Sequence, residues 1–527
     1  MEEQPAKQLL IQALESHNVS DKLVLAFLEE LGRSPEIFAV VKDFEPLIDA
    51  SESVANGQKY RITMVDEEVF RRDVEEFALA EIMASKLLLS YTPLINADET
   101  ERYGLTYRSR IIVELLKSLV AEHKLAALAL RIKPAYFLYE KLKRFAAVFP
   151  PARYRIWRAL RTNVVKNAIN RFVEAAHTLV EAGIMERDGE FFRITRQGYD
   201  SLHEHRLIDV RKLEDTLRNY LSWPFLTKAA VKVFLEQVSQ TIQSSKFSDE
   251  LKLPDPSSYI YMQTSKGLQP LSEQHDIMDL AKYLYGDCRA EISHIGGALN
   301  STYLLKVYTQ HGESIKIFVK KYLNWTDVKW IIARVWTLGV KNFSLSSGSR
   351  MANEIYFIDL LKNYGFNTAE ILHVNWRRRI LFLNYVEGIN LLDAWIKSIE
   401  GRERFAFDVG RCLAEIHAHD ITIGDCKPEV FIKTSGSEIY ITDLEQASLH
   451  GDKAWDVMEI IFYPGHYLDV KEAQAVASAI VEGYLTLGDM KIIQEALKAK
   501  YIRTLTPWTP VWVQRSIIEA VKPLLRA

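Results

Sequence analysis

The feature that most constrains this chain is an ordered series of charged residues, each placed after a short apolar run, between residues 296 and 456. Lys320 follows the apolar residues 317–319, and Asp443 follows the strand-like residues 439–441. A lone lysine at the end of a strand is normally a solvated surface group. Several such signals in one fixed order indicate a site much more strongly than any one of them.

A glycine turn opens the series. Gly296 and Gly297, followed by Asn300, lie between two strand-like runs. Glycine lets backbone N–H groups approach a phosphate, although a Gly-Gly pair in a hairpin is usually only a turn. Lys320 comes twenty residues after Asn300. It needs an acidic partner to stay extended toward phosphates, and Glu354 in the next helical segment is the candidate.

The second half of the series carries the acids. Asp425 begins an Asp-x-Lys-Pro-Glu sequence, which by itself is equally compatible with an exposed turn. In phosphoryl transfer a carboxylate accepts or orients the hydroxyl proton, and a lysine such as Lys427 lies near the transferred phosphate. Asp443 offers the hard oxygen ligand that Mg²⁺ or Mn²⁺ requires, with Glu429 as a second ligand. The series therefore predicts an ATP-dependent phosphotransferase with the catalytic residues Lys320, Glu354, Asp425 and Lys427.

The pattern resembles the atypical branch of the kinase superfamily: the RIO kinases, the kinase of the KEOPS tRNA-modification complex, and the aminoglycoside and choline phosphotransferases. The resemblance rests on the glycine turn, on Asp425 to Glu429, on the Asp-Leu-Glu at Asp443, and on the later Trp455-Asp456. It implies a bilobal kinase-like domain over residues 285–470, completed by C-terminal helices of the large lobe over residues 471–527. It also implies a hinge strand that ends near Glu387 and binds ATP, and a buried Asp456 that braces the catalytic loop.

The sequence departs from this resemblance at three places. Ile423 replaces the usual histidine, Val430 replaces a metal-binding asparagine, and residues 322–349 are an insert. Because valine cannot bind a metal, either Glu429 or Glu445 supplies the second ligand, or one metal is used, or activity is low. The insert is either an extra helix packed on the small lobe or a contact for a substrate or partner.

The N-terminal half carries no catalytic motif. Apolar residues at helical spacing, such as Leu23, Phe27 and Leu31, predict a mainly helical region over residues 1–149. Two helical patterns and an Asp188-Gly189 hairpin signal follow, in an order that resembles a winged helix over residues 150–205. Residues 206–284 are predicted to be a helical connector. The predicted fold class is therefore multidomain α+β: a helical N-terminal region, an archaeal-type winged helix, then a bilobal protein-kinase-like fold.

Charge is distributed unevenly along the chain. Residues 1–100 hold 20 Asp and Glu against 9 Lys and Arg, whereas residues 123–173 hold 12 Lys and Arg and one acid. Arg155, Arg158 and Arg161 lie three apart and share a helix face, so the basic segment 123–200 is predicted to contact phosphates of tRNA, rRNA or DNA. The alternative is that these bases neutralise the acidic first hundred residues within one fold.

The amino-acid composition indicates the cellular compartment. Three cysteines without a CxxC pair favour a reducing compartment, and no apolar run reaches the ~18 residues of a membrane span, so we expect a cytoplasmic protein without a membrane partner. The leading hypothesis is an atypical serine/threonine protein kinase that uses ATP and Mg²⁺ on a protein substrate. The alternatives are a kinase of RNA such as tRNA, and a nucleic-acid-binding regulator with an ATP-sensing pseudokinase lobe.

Overall fold

A computed structural model describes residues 3–526, with the exception of 33, 80, 149–151, 205–251, 296–300, 311 and 324–342. The chain divides into two compact units. The first comprises Met1–Glu122 and Leu130–Tyr261, and the second comprises His123–Ala129 and Met262–Ala527. The predicted phosphate-binding residues Gly296, Gly297 and Asn300, and most of the insert 322–349, lie outside the described residues.

The first unit begins with a five-stranded sheet in the order β3-β4-β2-β1-β5. Strands β2 and β4 are parallel, and the other neighbouring pairs are antiparallel. Helix α1 packs its apolar side chains, among them Leu9 and Leu10, on one face of the sheet. The elements are α1 (Glu3–Ser16), β1 (Leu23–Glu29), β2 (Glu36–Val41), β3 (Ile48–Ala55), β4 (Gln58–Asp66), α2 (Glu67–Glu76) and β5 (Thr92–Ile95).

The prediction of a mainly helical region over residues 1–149 is wrong for residues 23–66, which form β1 to β4, and for β5. Strand β1 is buried on both faces, so five consecutive residues are buried and no two-residue alternation shows in the sequence. In such a short apolar run, the helical spacing of Leu23 and Phe27 is coincidental. Asn56 and Gly57, both at positive φ, form the hairpin turn between β3 and β4. This Asn-Gly pair was the sequence signal for strands here.

The helices and hairpin predicted after residue 150 are confirmed as elements. Strands β7 and β8 pair in register from Met185 with Ile194 to Asp188 with Phe191. The two turn residues are therefore Gly189 and Glu190, one position later than predicted, and only Gly189 has positive φ. The elements are α3 (Ala97–His123), β6 (Leu130–Ile132), α4 (Ala135–Val148), α5 (Ala152–Leu160), α6 (Val164–Glu181), β7 (Met185–Asp188), β8 (Phe191–Ile194) and α7 (Arg196–Glu204).

The prediction of a helical connector over residues 206–284 is wrong for residues 260–270, which form two strands. Strands β9 (Ile260–Thr264) and β10 (Gly267–Pro270) come before helix α8 (Ile277–Tyr285). In β9 the side chains alternate between buried and more exposed, which is the two-residue period of a strand. Residues 206–251 of the connector lie outside the described part of the chain.

The second unit contains a five-stranded antiparallel sheet in the order β11-β12-β13-β16-β15. Its strands are β11 (Arg289–Ile295), β12 (Thr302–Tyr308), β13 (Ser314–Lys321), β15 (Ile371–Asn375) and β16 (Ile380–Asn384). Helix α9 (Ser347–Asn363) lies between β13 and β15 in the chain. It begins at the Ser346 cap, whose side chain accepts a hydrogen bond from the amide of Ser349.

The rest of this unit is mainly helical. Two glycines let the helices Arg402–Ala418 and Val470–Leu485 approach closely. A Cβ on Gly410 would lie 2.0 Å from the carbonyl oxygen of Ile480, and one on Gly483 would lie 1.9 Å from that of Phe407. The helices are α10 (Leu391–Ile396), α11 (Arg402–Ala418), α12 (Lys453–Phe462), α13 (Val470–Leu485), α14 (Met490–Ala496), α15 (Ala499–Ile502) and α16 (Val511–Val521).

Short strands lie between these helices. A four-stranded sheet has the order β14-β20-β19-β17, and β18 pairs with β21. The strands are β14 (Asn367–Thr368), β17 (Ile389–Asn390), β18 (Ile421–Thr422), β19 (Phe431–Lys433), β20 (Ile439–Ile441) and β21 (Ser448–Leu449). The chain is thus a mixed α/β protein with several small sheets. Among the described helices, none combines the length and the apolar character needed to cross a bilayer.

Candidate functional site

Lys320 lies at the centre of a group of charged side chains, most of which are buried. It is near the end of β13, between β12 and β16, and its side chain is largely buried. Its Nζ lies 2.6 Å from Oε2 of Glu354 on α9 and 2.5 Å from Oδ1 of Asp443, which follows β20. The structure therefore brings together three of the residues that the sequence predicted for one site.

A third acid joins this group. Oε2 of Glu445 lies 3.6 Å from Nζ of Lys320 and 3.3 Å from Nη1 of Arg350. Oxygen atoms of Glu354, Asp443 and Glu445 all lie within 4.8 Å of one another. Among the described residues, these three carboxylates thus face the cationic side chains of Lys320 and Arg350. Hard oxygen ligands at this spacing fit a divalent cation such as Mg²⁺ or Mn²⁺.

The electrostatics of the group fix its protonation. Burial opposes the charge on Lys320, but the carboxylates of Asp443 and Glu354 outweigh it, and the pKa of Lys320 lies well above its usual value. Burial, and then the charge of Glu354, raise the pKa of Tyr322 well above the usual value. The Tyr322 hydroxyl therefore keeps its proton, and it donates to Oε2 of Glu354 at 3.0 Å.

Asp443 is held in an unusual backbone conformation. Its φ is 56°, in the left-handed region that few residues other than glycine adopt. The preceding Thr442 is fixed by its amide and its hydroxyl, which donate to the carbonyl oxygen of Val430 at 2.9 and 3.0 Å. The Asp443 side chain is 49% exposed. Aspartate adopts this region more readily than most residues, and the hydrogen bonds of Thr442 hold the preceding residue in place.

Helix α9, which carries Glu354, is buried nearly all round. Its buried residues include Met351, Ile355 and Phe357 as well as Glu354. The short 3-10 helix Lys124–Ala129, distant in sequence, packs against it with Ala126 and Ala127 fully buried. The position of Glu354 is therefore fixed by packing on several sides.

A second cluster surrounds Asp425. Nζ of Lys427 lies 2.8 Å from Oδ1 of Asp425, so the predicted catalytic pair is in contact. Asp456 on α12 is fully buried and accepts hydrogen bonds from the amides of Ile423 and Gly424 at 2.6 and 2.8 Å. Asp456 thus makes the hydrogen bonds to the catalytic loop that the resemblance implied.

Sequence reasoning missed several residues that hold these clusters. Glu459 accepts a hydrogen bond from the amide of Cys426 at 2.7 Å, and His417 lies 3.3 Å from Asp456. Glu459 comes three residues after Asp456 on α12, so both face the same loop, and this spacing was available as a signal. Arg350, Asn353 and Tyr322 gave no local pattern, because their partners lie far away in the sequence.

The charge of Lys427 is also stabilised. Burial opposes it, but the carboxylates of Asp425 and Glu459 outweigh burial and raise the pKa of Lys427. Burial, together with the charge of Asp425, raises the pKa of Glu459 well above its usual value. Lys427 is therefore a permanent cation beside Asp425.

The structure does not place Glu429 in the group of acids around Asp443, so its role as a metal ligand stays a prediction. The acid that lies with Asp443 is Glu445, because α9 draws it inward through Arg350 and through Asn353, whose side chain donates to the carbonyl oxygen of Glu445 at 3.1 Å. Glu429 is half-buried instead, and burial raises the pKa of its carboxyl. Among the described residues, its buried Oε2 has no hydrogen-bond partner.

Two other predicted residues have different surroundings. The side chain of Glu387 is exposed and pairs with Lys316 on β13 at 2.7 Å, so its own contact is with the sheet. Val430 is buried, and its carbonyl oxygen holds Thr442. Its apolar side chain offers no metal ligand, as the sequence indicated.

The basic segment is partly neutralised within the first unit. Arg155 lies 3.5 Å from Glu29, Lys141 lies 2.5 Å from Glu81, and Arg171 lies 3.3 Å from Glu101. These ion pairs support the alternative that the bases neutralise acidic residues within the same unit. Arg155 is directed toward the buried Glu29. Arg158 donates to the carbonyl oxygen of Gly32 at 2.5 Å, and Arg161 stacks on Trp157. Nucleic-acid binding through these two exposed arginines stays a prediction.

No known protein family matches the chain by its sequence, and no curated protein matches it. The chemistry of this site is therefore assigned from its own residues. A buried lysine between carboxylates, and an aspartate–lysine pair on a braced loop, can together hold a polyphosphate and orient a hydroxyl group.

Proposed function

We propose that the second unit is an ATP-dependent phosphotransferase, of the atypical serine/threonine protein kinase type, with a bilobal kinase-like fold. The observation that carries this proposal is the position of Lys320, between Glu354 of α9 and Asp443 after β20. The hydrogen bonds from Thr442 to Val430 join this cluster to the loop of Asp425 and Lys427. We also propose that α5, α6, β7 and β8 form a winged helix.

The proposed cofactors are ATP and a divalent cation. Asp443 and Glu445 would hold the metal, and Lys320 would bind phosphate oxygens while Glu354 keeps it extended. When bound, Mg²⁺ neutralises negative charge on the phosphates. The three carboxylates that lie within 4.8 Å of one another support this assignment, because a cation stabilises carboxylates that lie so close together.

The chain's own groups orient the acceptor. Asp425 accepts a hydrogen bond from the substrate hydroxyl and takes its proton as the phosphate is transferred. Lys427 is a fixed positive charge beside it, suited to the transferred phosphate. Asp456 and Glu459 hold the backbone on which Asp425 lies, so the carboxylate keeps its direction.

Substitution of Lys320 by Met tests the nucleotide site. The charge-assisted contacts to phosphate are lost, and we expect ATP affinity to fall by roughly 10- to 100-fold. Affinity is measured with a fluorescent ATP analogue on purified, folded protein. Lys321→Met is the matched control, because the next residue of the strand points to the opposite face. If both variants bind ATP with equal affinity, Lys320 does not belong to the nucleotide site.

Transfer itself is tested with γ-labelled ATP and cell extract, with and without ribonuclease. Label in protein that resists ribonuclease is expected. Label that ribonuclease removes would instead identify an RNA kinase. Label in neither product would argue against transfer.

A second candidate function is favoured by Val430, whose apolar side chain cannot bind a second metal ion. The unit would then sense ATP without transferring phosphate. We expect instead a relaxed metal requirement, with ATP hydrolysis supported by Mg²⁺ or by Mn²⁺. Titrating both ions against ATP hydrolysis decides between the two, and absence of turnover with either ion would favour the sensor.

A further inference from the structure

Arg350 holds a permanent positive charge against Glu445, one of the three acids grouped around Lys320. Its Nη1 donates to Oε2 of Glu445 at 3.3 Å, and its Nη2 donates to the carbonyl oxygen of Leu323 at 3.3 Å. The Arg350 side chain is only 4% exposed. Because a guanidinium group does not lose its proton in proteins, Glu445 is paired with a buried cation before any metal ion binds.

Helix α9 fixes Arg350 in this position. Arg350 lies one turn before Glu354, so both side chains leave the same face of the helix and reach the same group of acids. Asn353 donates to the carbonyl oxygen of Glu445 at 3.1 Å. The guanidinium carbon of Arg350 lies 5.8 Å from the ring centre of Tyr322, whose hydroxyl binds Glu354. These contacts keep the guanidinium group next to Glu445, unlike the partners of an exposed ion pair.

The backbone on the other side of Glu445 is fixed as well. The side-chain amide of Gln446 accepts a hydrogen bond from the amide of Ser344 at 2.7 Å and donates to the carbonyl oxygen of Ser344 at 3.1 Å. Gln446 is buried, so water does not compete readily for these two hydrogen bonds. Glu445 therefore cannot move away from Arg350 without breaking hydrogen bonds of its own and of its neighbour.

The three acids differ in what they offer to a metal ion. Glu354 is buried, and Nζ of Lys320 binds it at 2.6 Å. Glu445 is also buried and has Arg350 on its Oε2, whereas the side chain of Asp443 is 49% exposed. A carboxylate has a second oxygen, so Glu445 can still face an ion that lies beside Asp443. A further ion on Oε2 would lie next to the guanidinium group, and positive charges so close together repel each other.

We propose that Arg350 takes the place of a second metal ion: its guanidinium group supplies the positive charge at Glu445, and the site binds a single divalent cation, beside Asp443. This inference rests on the proposed function, and it assigns the number of metal ions which that function uses. It also gives a reason why Val430 is tolerated. A site that holds a fixed cation at Glu445 does not need a ligand for a second ion.

The test counts the metal ions bound to the full chain. Mn²⁺ is titrated into an equimolar complex of the chain with a non-hydrolysable ATP analogue, and free Mn²⁺ is measured by electron paramagnetic resonance. We expect wild type to bind a single Mn²⁺ per complex. Arg350→Gln removes the charge and leaves an amide oxygen, a hard ligand, beside Glu445, so this variant should bind a second Mn²⁺. Arg350→Lys keeps a cation there and should bind a single Mn²⁺.

Two further variants locate the ion and control for charge. Asp443→Asn should weaken binding of the single Mn²⁺ by roughly tenfold or more, which would place this ion beside Asp443 and not on the nucleotide alone. Lys362→Gln is the matched control, because Lys362 is exposed on the same helix as Arg350 and pairs with Glu370 at 3.6 Å. It should bind Mn²⁺ as wild type does. Circular dichroism and thermal unfolding show whether each variant is folded.

Three results would overturn the proposal. A second Mn²⁺ bound by wild type does so whether or not the variants fold. A folded Arg350→Gln that binds no more Mn²⁺ than wild type would mean that Arg350 only braces Glu445. Unchanged Mn²⁺ affinity in Asp443→Asn would leave the ion on the nucleotide alone. Wild type that binds the ATP analogue but gives one of these results refutes this inference only, whereas wild type that binds no ATP analogue refutes the proposed function.

Discussion

Asp425→Asn is expected to lower turnover by a factor on the order of 10² or more while ATP binds as in wild type. The amide keeps the shape of the side chain but cannot accept the proton of the attacking hydroxyl. Asp425 contacts Lys427 and lies outside the group of acids around Lys320, so nucleotide contacts should persist. Single-turnover transfer and nucleotide affinity are measured on the same preparation.

The matched control is Asp420→Asn, five residues earlier. Asp420 is exposed and pairs with Lys453 at 2.5 Å. It has a positive φ of 56°, which asparagine tolerates well. We expect at most a small change in its turnover. If Asp425→Asn turns over as fast as Asp420→Asn, Asp425 is not the group that accepts the proton.

The elements around the site could be predicted because local chemistry marks them. Lys320 and Asp443 each follow an apolar strand, and Asp456 lies on an apolar helix, so the residue types reveal both the element and its charged end. The sheet over residues 23–95 could not be recognised in this way. With both faces of β1 buried, the strand loses its alternation, and the Asn56-Gly57 pair, whose meaning as a hairpin turn went unrecognised, was the local signal.

The charged residues of the site could be predicted from the sequence. The side chains that hold them in position could not. Glu445, the alternative to Glu429, lies with Asp443 because Arg350 and Asn353 on α9 hold it, which are contacts across more than ninety residues. The packing of residues 124–129 on α9 is longer in range still. The sequence does not show which apolar residues will pack against each other, so such contacts are seen only in the folded structure.

Asp456→Ala is expected to have the largest effect on stability. Two buried backbone amides, those of Ile423 and Gly424, lose their acceptor, and His417 loses its neighbouring carboxylate. A buried donor left unpaired costs about 1–3 kcal/mol, so the free energy of unfolding should fall by roughly 3–5 kcal/mol. Turnover should fall as well, because the loop no longer directs Asp425 toward the hydroxyl.

Asp452→Ala on the same helix separates this effect from simple loss of a carboxylate. Asp452 is the N-terminal cap of α12, accepts a hydrogen bond from the amide of Ala454, and is an acceptor for the Tyr501 hydroxyl. Its loss should cost about 1–2 kcal/mol and leave turnover nearly intact. Hydrogen exchange measures both variants locally: the amides of Ile423 and Gly424 should exchange roughly 10²-fold faster in Asp456→Ala only. Equal protection of these amides in the two variants would mean that neighbouring packing holds the loop, with Asp456 contributing no more than a helix cap.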